Sequence, residues 1–254
     1  MILEEYDYDK EAMISPLHFI SKVEGMPKVA VSCFEWTVFD GLVKVLSAEK
    51  IATTVNANCR WPIYKAVYKG KEIALYMTDM GAAGAAAQLE DMYALGVEKV
   101  IVFGSCGVLD ENIKDCAIII PDKAVRDEGL SYHYLPPSDE MTVNPKYIPE
   151  FTALLDEIKC KYIVGKTWTT DAMYRETKAK VKRRKAQGCV CVEMECAALA
   201  AVAQFREKEL FQFVYAADSL GGEQWDRRSL GESYFLEEKG RLGELALELA
   251  VRVM

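Results

Sequence analysis

A predicted strand runs into a predicted helix at Val190-Cys191-Val192-Glu193-Met194-Glu195-Cys196-Ala197-Ala198. Two carboxylates, Glu193 and Glu195, fall at this junction between apolar flanks. Because burial of an unpaired charge costs several kcal/mol, the pair is expected to face a polar ligand or a dense hydrogen-bond network. A carboxylate at a strand end suits a polyol, since its oxygens accept hydrogen bonds from two neighbouring hydroxyls. The alternative is that both acids cap the helix that begins near Met194.

Short apolar runs alternate with amphipathic stretches along the chain. The apolar runs predict strands at 28–34, 73–77, 100–103, 117–120, 162–164, 190–192 and 211–216. Apolar spacing near 3.6 predicts helices at 39–47, 83–95, 148–159, 179–187, 194–205 and 237–252. This alternation predicts an α/β fold whose largely buried sheet has helices on both faces. Because no Ser/Gly/Pro-rich linker divides the chain, a single domain over residues 1–254 is expected.

Composition narrows the function classes. The 254-residue chain has a net charge of -8, which disfavours a nucleic-acid or acidic-membrane binder. No run approaches the ~18 apolar residues of a membrane span, and residues 1–10 lack an apolar signal core. The eight cysteines lack CxxC spacing, which predicts free thiols in a reducing cytoplasm and no zinc site.

Two further segments place polar groups at predicted strand ends. They read Phe103-Gly104-Ser105-Cys106-Gly107-Val108-Leu109 and Tyr215-Ala216-Ala217-Asp218-Ser219. Ligands of open α/β sheets collect at the carboxyl ends of strands. Gly104 and Gly107 bracket Ser105 in a predicted turn, which frees N–H groups and one hydroxyl to meet an anion. Asp218 follows an apolar run, so burial should raise its pKa. Each short segment also has a purely structural interpretation, as a tight turn or as a turn cap.

In this order and at these separations, the three segments resemble the nucleoside phosphorylase-I family of purine nucleoside phosphorylases, uridine phosphorylases and nucleosidases. The resemblance extends from about His18 to Asp218 and implies a central mixed sheet in an α/β/α domain. It implies a pentosyltransferase of purine salvage that moves the ribosyl group of a nucleoside to phosphate. No metal or organic cofactor is implied beyond phosphate as co-substrate. The family also implies a cytoplasmic homo-oligomer built from dimers, up to a hexamer.

The resemblance assigns roles to individual side chains. Asp218 would be the general acid that protonates the purine at N7. The ribose would be held by Glu195, Glu193 and Met194, with His18 reaching the 5'-hydroxyl in a neighbouring subunit. Phosphate would meet Ser105, Gly104 and Arg60, the last from the adjacent subunit, and the base would contact Met173 and Arg175.

The chain departs from the family pattern on the phosphate side. Phosphorylases of the family carry a Gly-Asp-Pro loop and an Arg, where this sequence has Ser32-Cys33-Phe34-Glu35 and Val102. Loss of charge-assisted Arg contacts predicts weak phosphate binding. A hydrolytic nucleosidase that uses Glu35 to activate water is therefore an alternative, as is a catalytically weak nucleoside-binding protein. Arg175 keeps a uridine phosphorylase-like specificity open, and an orienting role of Arg227 or Arg228 toward Asp218 is also open.

Overall fold

The computed structural model describes residues 1–57, 59–231 and 236–254, without the side chains of 236–239. Strands in this part of the chain are β1 Val29–Cys33, β2 Glu49–Val55, β3 Arg60–Tyr68, β4 Lys71–Met77, β5 Lys99–Val108, β6 Ile118–Asp127, β7 Glu140–Thr142, β8 Tyr162–Thr170, β9 Cys189–Glu193 and β10 Glu209–Ser219. Helices are α1 Trp36–Val45, α2 Ala82–Leu95, α3 Ser131–Tyr134, α4 Ile148–Glu157, α5 Lys178–Ala186, α6 Cys196–Phe205 and α7 Leu236–Arg252. Short 3₁₀ turns occur at Ile2–Glu4, Pro16–His18 and Met173–Arg175.

All ten strands belong to one mixed sheet with helices on both faces, as predicted. The period-two alternation of β5 shows how the two layers arise. Ile101 and Phe103 pack on one face with side chains of α1, α4 and α7. Val100 and Val102 point to the other face, where α2 and α6 cover them. The central strands are therefore apolar on both faces, which explains their continuous apolar runs.

Five strands of the sheet close into a ring. β5 pairs with β10 along its length, and its last residues Gly107 and Val108 also pair with β9. β10, β6, β8 and β9 complete the circuit by pairing in that order. Small side chains such as Cys106, Cys191 and Ala216 fill the narrow interior of the ring. The buried cysteines of the ring thus serve packing, and all eight cysteines are free, as predicted.

The structure corrects several predicted boundaries. The segment from Gly104 to Gly107 is not a turn, because β5 continues through it and pairs with neighbours on both sides. β2, β3 and β7 were not predicted, since β2 is a largely exposed edge strand and β3 contains Pro62. Pro62 pairs with β2, whereas the pairing of β3 with β4 begins only at Tyr64. Proline is tolerated there because one side of the strand is unpaired at that position. The helix after Glu193 begins at Cys196, two residues later than predicted.

Among the residues that the structure describes, no helix combines the length and apolar character needed to cross a bilayer.

Gly221 lies in close contact with the backbone of a second loop and has little room for a side chain. A Cβ on Gly221 would lie 2.4 Å from the amide nitrogen of Glu111, whereas one on Gly222 would lie 3.4 Å from the flexible end of the Glu111 side chain. We predict that Gly221→Ala lowers the free energy of unfolding by about 1–3 kcal/mol. Gly222→Ala should change it by less than about 0.5 kcal/mol. Urea denaturation of both variants tests this, and equal stabilities would contradict the close contact.

Candidate active site

Glu193 is the most fully hydrogen-bonded carboxylate of the candidate site. Its Oε1 accepts hydrogen bonds from the Thr167 and Thr169 hydroxyls at 3.1 and 2.6 Å. Its Oε2 accepts from the backbone N–H groups of Glu195 and Cys196 at 2.7 and 2.6 Å. Burial raises the pKa of Glu193, and these hydrogen bonds oppose the rise. All four of these hydrogen bonds come from the protein, which fits a supporting role for Glu193, and its contact with a ribose stays a prediction.

Glu195 lies two residues further on, at the residue before α6, and is 9% exposed. The N–H of Gly81, the residue before α2, donates to its Oε1 at 2.6 Å. Gly81 has a φ of 88°, a left-handed conformation that favours glycine. Burial raises the pKa of Glu195 to about 8, and the negative charge of Glu193 is the second cause. A buried acid with so raised a pKa is typical of a functional site.

Asp218 lies near the end of β10, on the other side of β5. The indole N–H of Trp225 donates to its Oδ2 at 2.7 Å. Burial raises the pKa of Asp218, and the Trp225 hydrogen bond opposes the rise. Space for the carboxylate depends on Gly107, since a Cβ there would lie 3.2 Å from Asp218 Oδ1. Ala217 forms a β-bulge that places Asp218 opposite Gly107.

The last residues of β5 set the spacing of the acids. Gly107 pairs with Asp218 on one side and with Val192, next to Glu193, on the other. Because neighbouring strands lie ~4.8 Å apart, the two flanking strands are about 10 Å apart. A sugar and its attached base can bridge such a distance. The structure therefore gathers the three sequence segments at one edge of the sheet.

A cavity of about 190 Å³ lies beside Ser105 and is called here the Glu35 cavity. Tyr215 donates a hydrogen bond to Glu35 Oε2 at 3.2 Å within it. Phe34 packs so closely on Gly104 that a Cβ there would lie 2.6 Å from the Phe34 ring. The described lining of the Glu35 cavity contains no Lys, Arg or His. It consists of Cys33, Phe34, Glu35, Val38, Phe103, Gly104, Ser105, Tyr215, Ala217, Leu230 and Gly231. Val102, where the family has an Arg, is buried in the apolar cluster under α2 and α6.

A wider groove of about 660 Å³ lies between α5 and the loop after β10, and is called here the Trp225 groove. Its walls are formed by Glu176, Lys178, Val181, Lys182, Lys185, Leu220, Gly221, Gly222, Glu223, Gln224 and Trp225. Since Trp225 also donates to Asp218, the groove adjoins the Asp218 side of the candidate site.

The structure places the remaining predicted residues at the surface. Met173 and Arg175 lie on an exposed 3₁₀ turn after β8, directly before Glu176, which lines the Trp225 groove. His18 is exposed on the N-terminal turn that contacts α2, and Arg60 is exposed at the start of β3. Three strand positions separate β3 from β5, so Arg60 lies about 14 Å from the Ser105 strand within one chain. A contact of Arg60 with Ser105 therefore requires a second subunit, and the role of His18 stays a prediction.

Several residues of the site were not found from the sequence. Trp225 donates a hydrogen bond to Asp218, and the positive charge of Arg228 lowers the Asp218 pKa. Arg228 itself donates to the carbonyls of Ile113 and Glu111, and Arg227 donates to that of Leu230. Trp225 and Glu176 carry no local motif, because their positions depend on how two loops meet across space. The sequence signal for Trp225 was its position, as an aromatic residue seven positions after Asp218.

Comparison with known proteins identifies the family. A family model described as the phosphorylase superfamily matches residues 38–253, so the chain belongs to this superfamily, as the resemblance predicted. The guanosine phosphorylase of Halorubrum lacusprofundi is 27% identical over 152 residues, which are 59% of this chain and 62% of that protein. Alignments with the first three curated relatives span only 54% to 62% of their lengths.

Solved structures show the same fold. The uridine phosphorylase from Vibrio fischeri ES114 has a TM-score of 0.76 at 20% identity and covers 95% of this chain and 99% of its own. A futalosine hydrolase mutant of Helicobacter pylori strain 26695 has a TM-score of 0.71 at 15% identity, with coverages of 90% and 100%. At these identities the likeness establishes the architecture alone.

The raised pKa of Glu195 predicts a pH-dependent loss of stability. Between the ordinary pKa of 4.5 and the folded value of about 8, the folded protein holds a proton that the unfolded chain has released. The contribution of Glu195 to the free energy of unfolding is thus fully present below pH 4.5. It declines as the pH rises to about 8, by up to ~1.4 kcal/mol per pH unit. Glu195→Gln removes this contribution.

Urea denaturation from pH 5 to pH 9 measures the effect. The free energy of unfolding of Glu195→Gln should gain on that of the wild type as pH rises through this range. Glu24→Gln, at an exposed glutamate, is the matched control and should follow the wild type. Parallel pH profiles of wild type and Glu195→Gln would contradict the assignment.

Proposed function

We propose that this protein cleaves the N-glycosidic bond of a purine nucleoside. The observation that supports this most is the placement of Glu195 and Asp218 on opposite sides of the β5 end, both buried and both with raised pKa values. Glu195 would accept hydrogen bonds from the 2'- and 3'-hydroxyls of the ribose, with Met194 against the sugar. Protonated Asp218 would donate to N7 as the base leaves, which is general-acid help worth about 10²–10⁴ in rate.

We infer water as the acceptor of the ribosyl group. Glu35 is a carboxylate in a small cavity beside Ser105, and it is oriented by the Tyr215 hydroxyl. A carboxylate there can take a proton from water, whereas it repels a phosphate dianion in a cavity whose described lining offers no cation. The proposed enzyme would thus be a hydrolytic nucleosidase.

Phosphate is the second candidate acceptor, as in the pentosyltransferases of the superfamily. It is favoured by the exposed Ser105 side chain at the β5 end and by the name of the guanosine phosphorylase relative. Arg60 from a neighbouring subunit would then supply the cation. This route makes phosphate a co-substrate, and neither route calls for a metal or an organic cofactor.

Further proposals concern base, assembly and location. Asp218 favours a purine, while Arg175 on the exposed turn after β8 is the feature that favours a pyrimidine instead. The exposed positions of His18 and Arg60 support a dimer-based homo-oligomer, since each would act in a neighbouring site. Eight free thiols suit a reducing cytoplasm, where purine nucleosides are salvaged.

Base release from inosine with and without phosphate tests the acceptor. In phosphate-free buffer we expect unchanged rates for the wild type. Glu35→Gln should lower these rates by about 10²–10⁴, because a carboxamide cannot take the proton from water. Asp40→Asn, at an exposed carboxylate one turn into α1, is the control and should leave them unchanged. Rates that rise with phosphate and ignore Glu35→Gln would establish phosphorolysis instead.

The role of Asp218 is tested with a substrate that needs no protonation. Asp218→Asn should lower kcat on inosine by about 10²–10⁴ and spare 7-methylinosine, whose ring is already cationic. Equal losses on both substrates would show that Asp218 only positions the nucleoside.

Trp225→Phe provides the matched comparison, because it removes the N–H donor and keeps an aromatic ring. Its hydrogen bond lowers the pKa of Asp218, so the variant should retain protonated Asp218 to higher pH. The alkaline limb of the rate profile on inosine should therefore move upward in pH.

A further inference from the structure

Helix α5 carries a concentration of positive charge that the proposed reaction does not use. Six of the nine residues of Lys178–Ala186 are Lys or Arg and none is acidic, although the chain as a whole has a net charge of -8. Two of the six turn toward the end of β6, where Lys180 and Arg184 contact Asp127 Oδ2 at 3.1 and 3.2 Å. These contacts hold the helix against the sheet, so its other cations have defined places.

Three further lysines of α5 face the Trp225 groove. Lys178, Lys182 and Lys185 are exposed and line the groove at positions i, i+4 and i+7, which form one face of a helix. Seven residues span about 10 Å along a helix axis, so the row of ammonium groups follows the wall of the groove. Lys185 also donates to the carbonyl of Gly221 at 3.3 Å and thereby reaches the loop after β10.

The Trp225 groove combines this charge with apolar surface. Buried Val181 and partly buried Leu220 line it, and Trp225 is 58% exposed although its N–H group is bound by Asp218. The volume of about 660 Å³ is that of a site for a small molecule. Such a groove suits an organic anion, because a carbon chain can contact the apolar surface while its acidic group meets the lysines.

The acidic side chains of the groove are fewer than its lysines. Glu176 and Glu223 line the described part of the groove. Glu223 is exposed, whereas burial raises the pKa of Glu176 to about 7, so Glu176 is partly protonated at neutral pH. Glu176 precedes α5, while Lys182 and Lys185 lie in its second and third turns. The region around these two lysines is therefore the part of the groove that attracts an anion.

The position of the groove connects it to one edge of a bound purine. Trp225 lines the groove and donates to Asp218, the proposed partner of N7. N7 and the substituent at position 6 share one edge of a purine, so this substituent would lie beside Asp218 and Trp225. A chain attached at position 6 would extend from the proposed base site into the groove, toward Lys182.

We propose that the Trp225 groove binds an acidic substituent at position 6 of the purine, so that nucleosides whose base carries a carboxylate arm are substrates. This rests on the proposed cleavage of purine nucleosides. Lys182 and Lys185 donate charge-assisted hydrogen bonds to the carboxylate, and the arm packs on Trp225 and Leu220. The arm keeps these contacts before and during bond cleavage. The gain therefore falls on KM and kcat/KM, with kcat unchanged.

The first test compares N6-(2-carboxyethyl)adenosine with its carboxamide, which has nearly the same shape without the charge. The kcat/KM of wild type should be about 5- to 30-fold higher on the carboxylate, through a lower KM. Lys182→Gln should reduce this preference by about 3- to 10-fold, and Lys182→Arg should retain most of it because it keeps the charge. Equal kcat/KM values of wild type on the two nucleosides overturn the proposal.

Arg183→Gln is the matched control for Lys182→Gln. Arg183 is the next residue in the chain, is also an exposed cation and lies outside the described lining of the groove. This variant should keep the wild-type preference for the carboxylate. An equal loss in the two variants would show that the charge of α5 acts at long range without a site in the groove, and would overturn the proposal.

A second test needs no turnover. Calorimetry should show that wild type binds 6-(2-carboxyethylamino)purine at least about 5-fold more tightly than its carboxamide, and Lys182→Gln should lose most of that difference. Equal affinities for the two bases, or no binding of either, overturn the proposal. Selective binding of the acid without cleavage of any nucleoside would refute the proposed function and support the groove. Cleavage of nucleosides without this selectivity would support the proposed function and refute the groove.

Discussion

The hydrogen bonds of Glu193 fix the geometry on which the candidate site depends. Two threonine hydroxyls of β8 and two backbone N–H groups at the start of α6 converge on this carboxylate. They join a strand, its neighbour and the following helix at one point, so the chain between β9 and α6 has little freedom. Glu195 lies inside that short connection. Its direction toward the start of α2 therefore follows from a residue that need not touch the ligand.

Opposing electrostatic effects set the protonation state of Glu195. The Gly81 N–H and the positive end of α2 favour the ionised form. Burial and the negative charge of Glu193 favour the neutral form and prevail, since the pKa lies near 8. Ligand hydroxyls that donate to Glu195 would also favour the ionised form and so lower its pKa. Burial of Glu195 thus works against the stability of the fold at neutral pH, as is common where function and stability compete.

Sequence reasoning succeeded where the signal is local and failed where distant segments meet. The apolar runs and helical spacing located the central strands and the long helices, and three short segments indicated the superfamily. The continuation of β5 through Gly104 and Gly107 was missed, because two glycines beside a serine are typical of a turn. Only pairing with β9 and β10, which lie about 85 and 110 positions later, holds that segment extended. Trp225 and Glu176 were missed for the same reason, since no spacing along the chain shows that they share a groove.

The bulge at Ala217 has a further consequence for how such a site can change. Side chains of a strand alternate between its two faces, and a one-residue shift exchanges the faces. Straightening the bulge without loss of a residue would pair Ala217 with Gly107 and Asp218 with Val108, and would so turn Asp218 toward the ring interior, among Cys106 and Val108. A carboxylate would then be taken from the ligand and forced among thiols and methyl groups. One extra residue without a functional group of its own thereby decides whether the acid beside it faces the candidate site or the core.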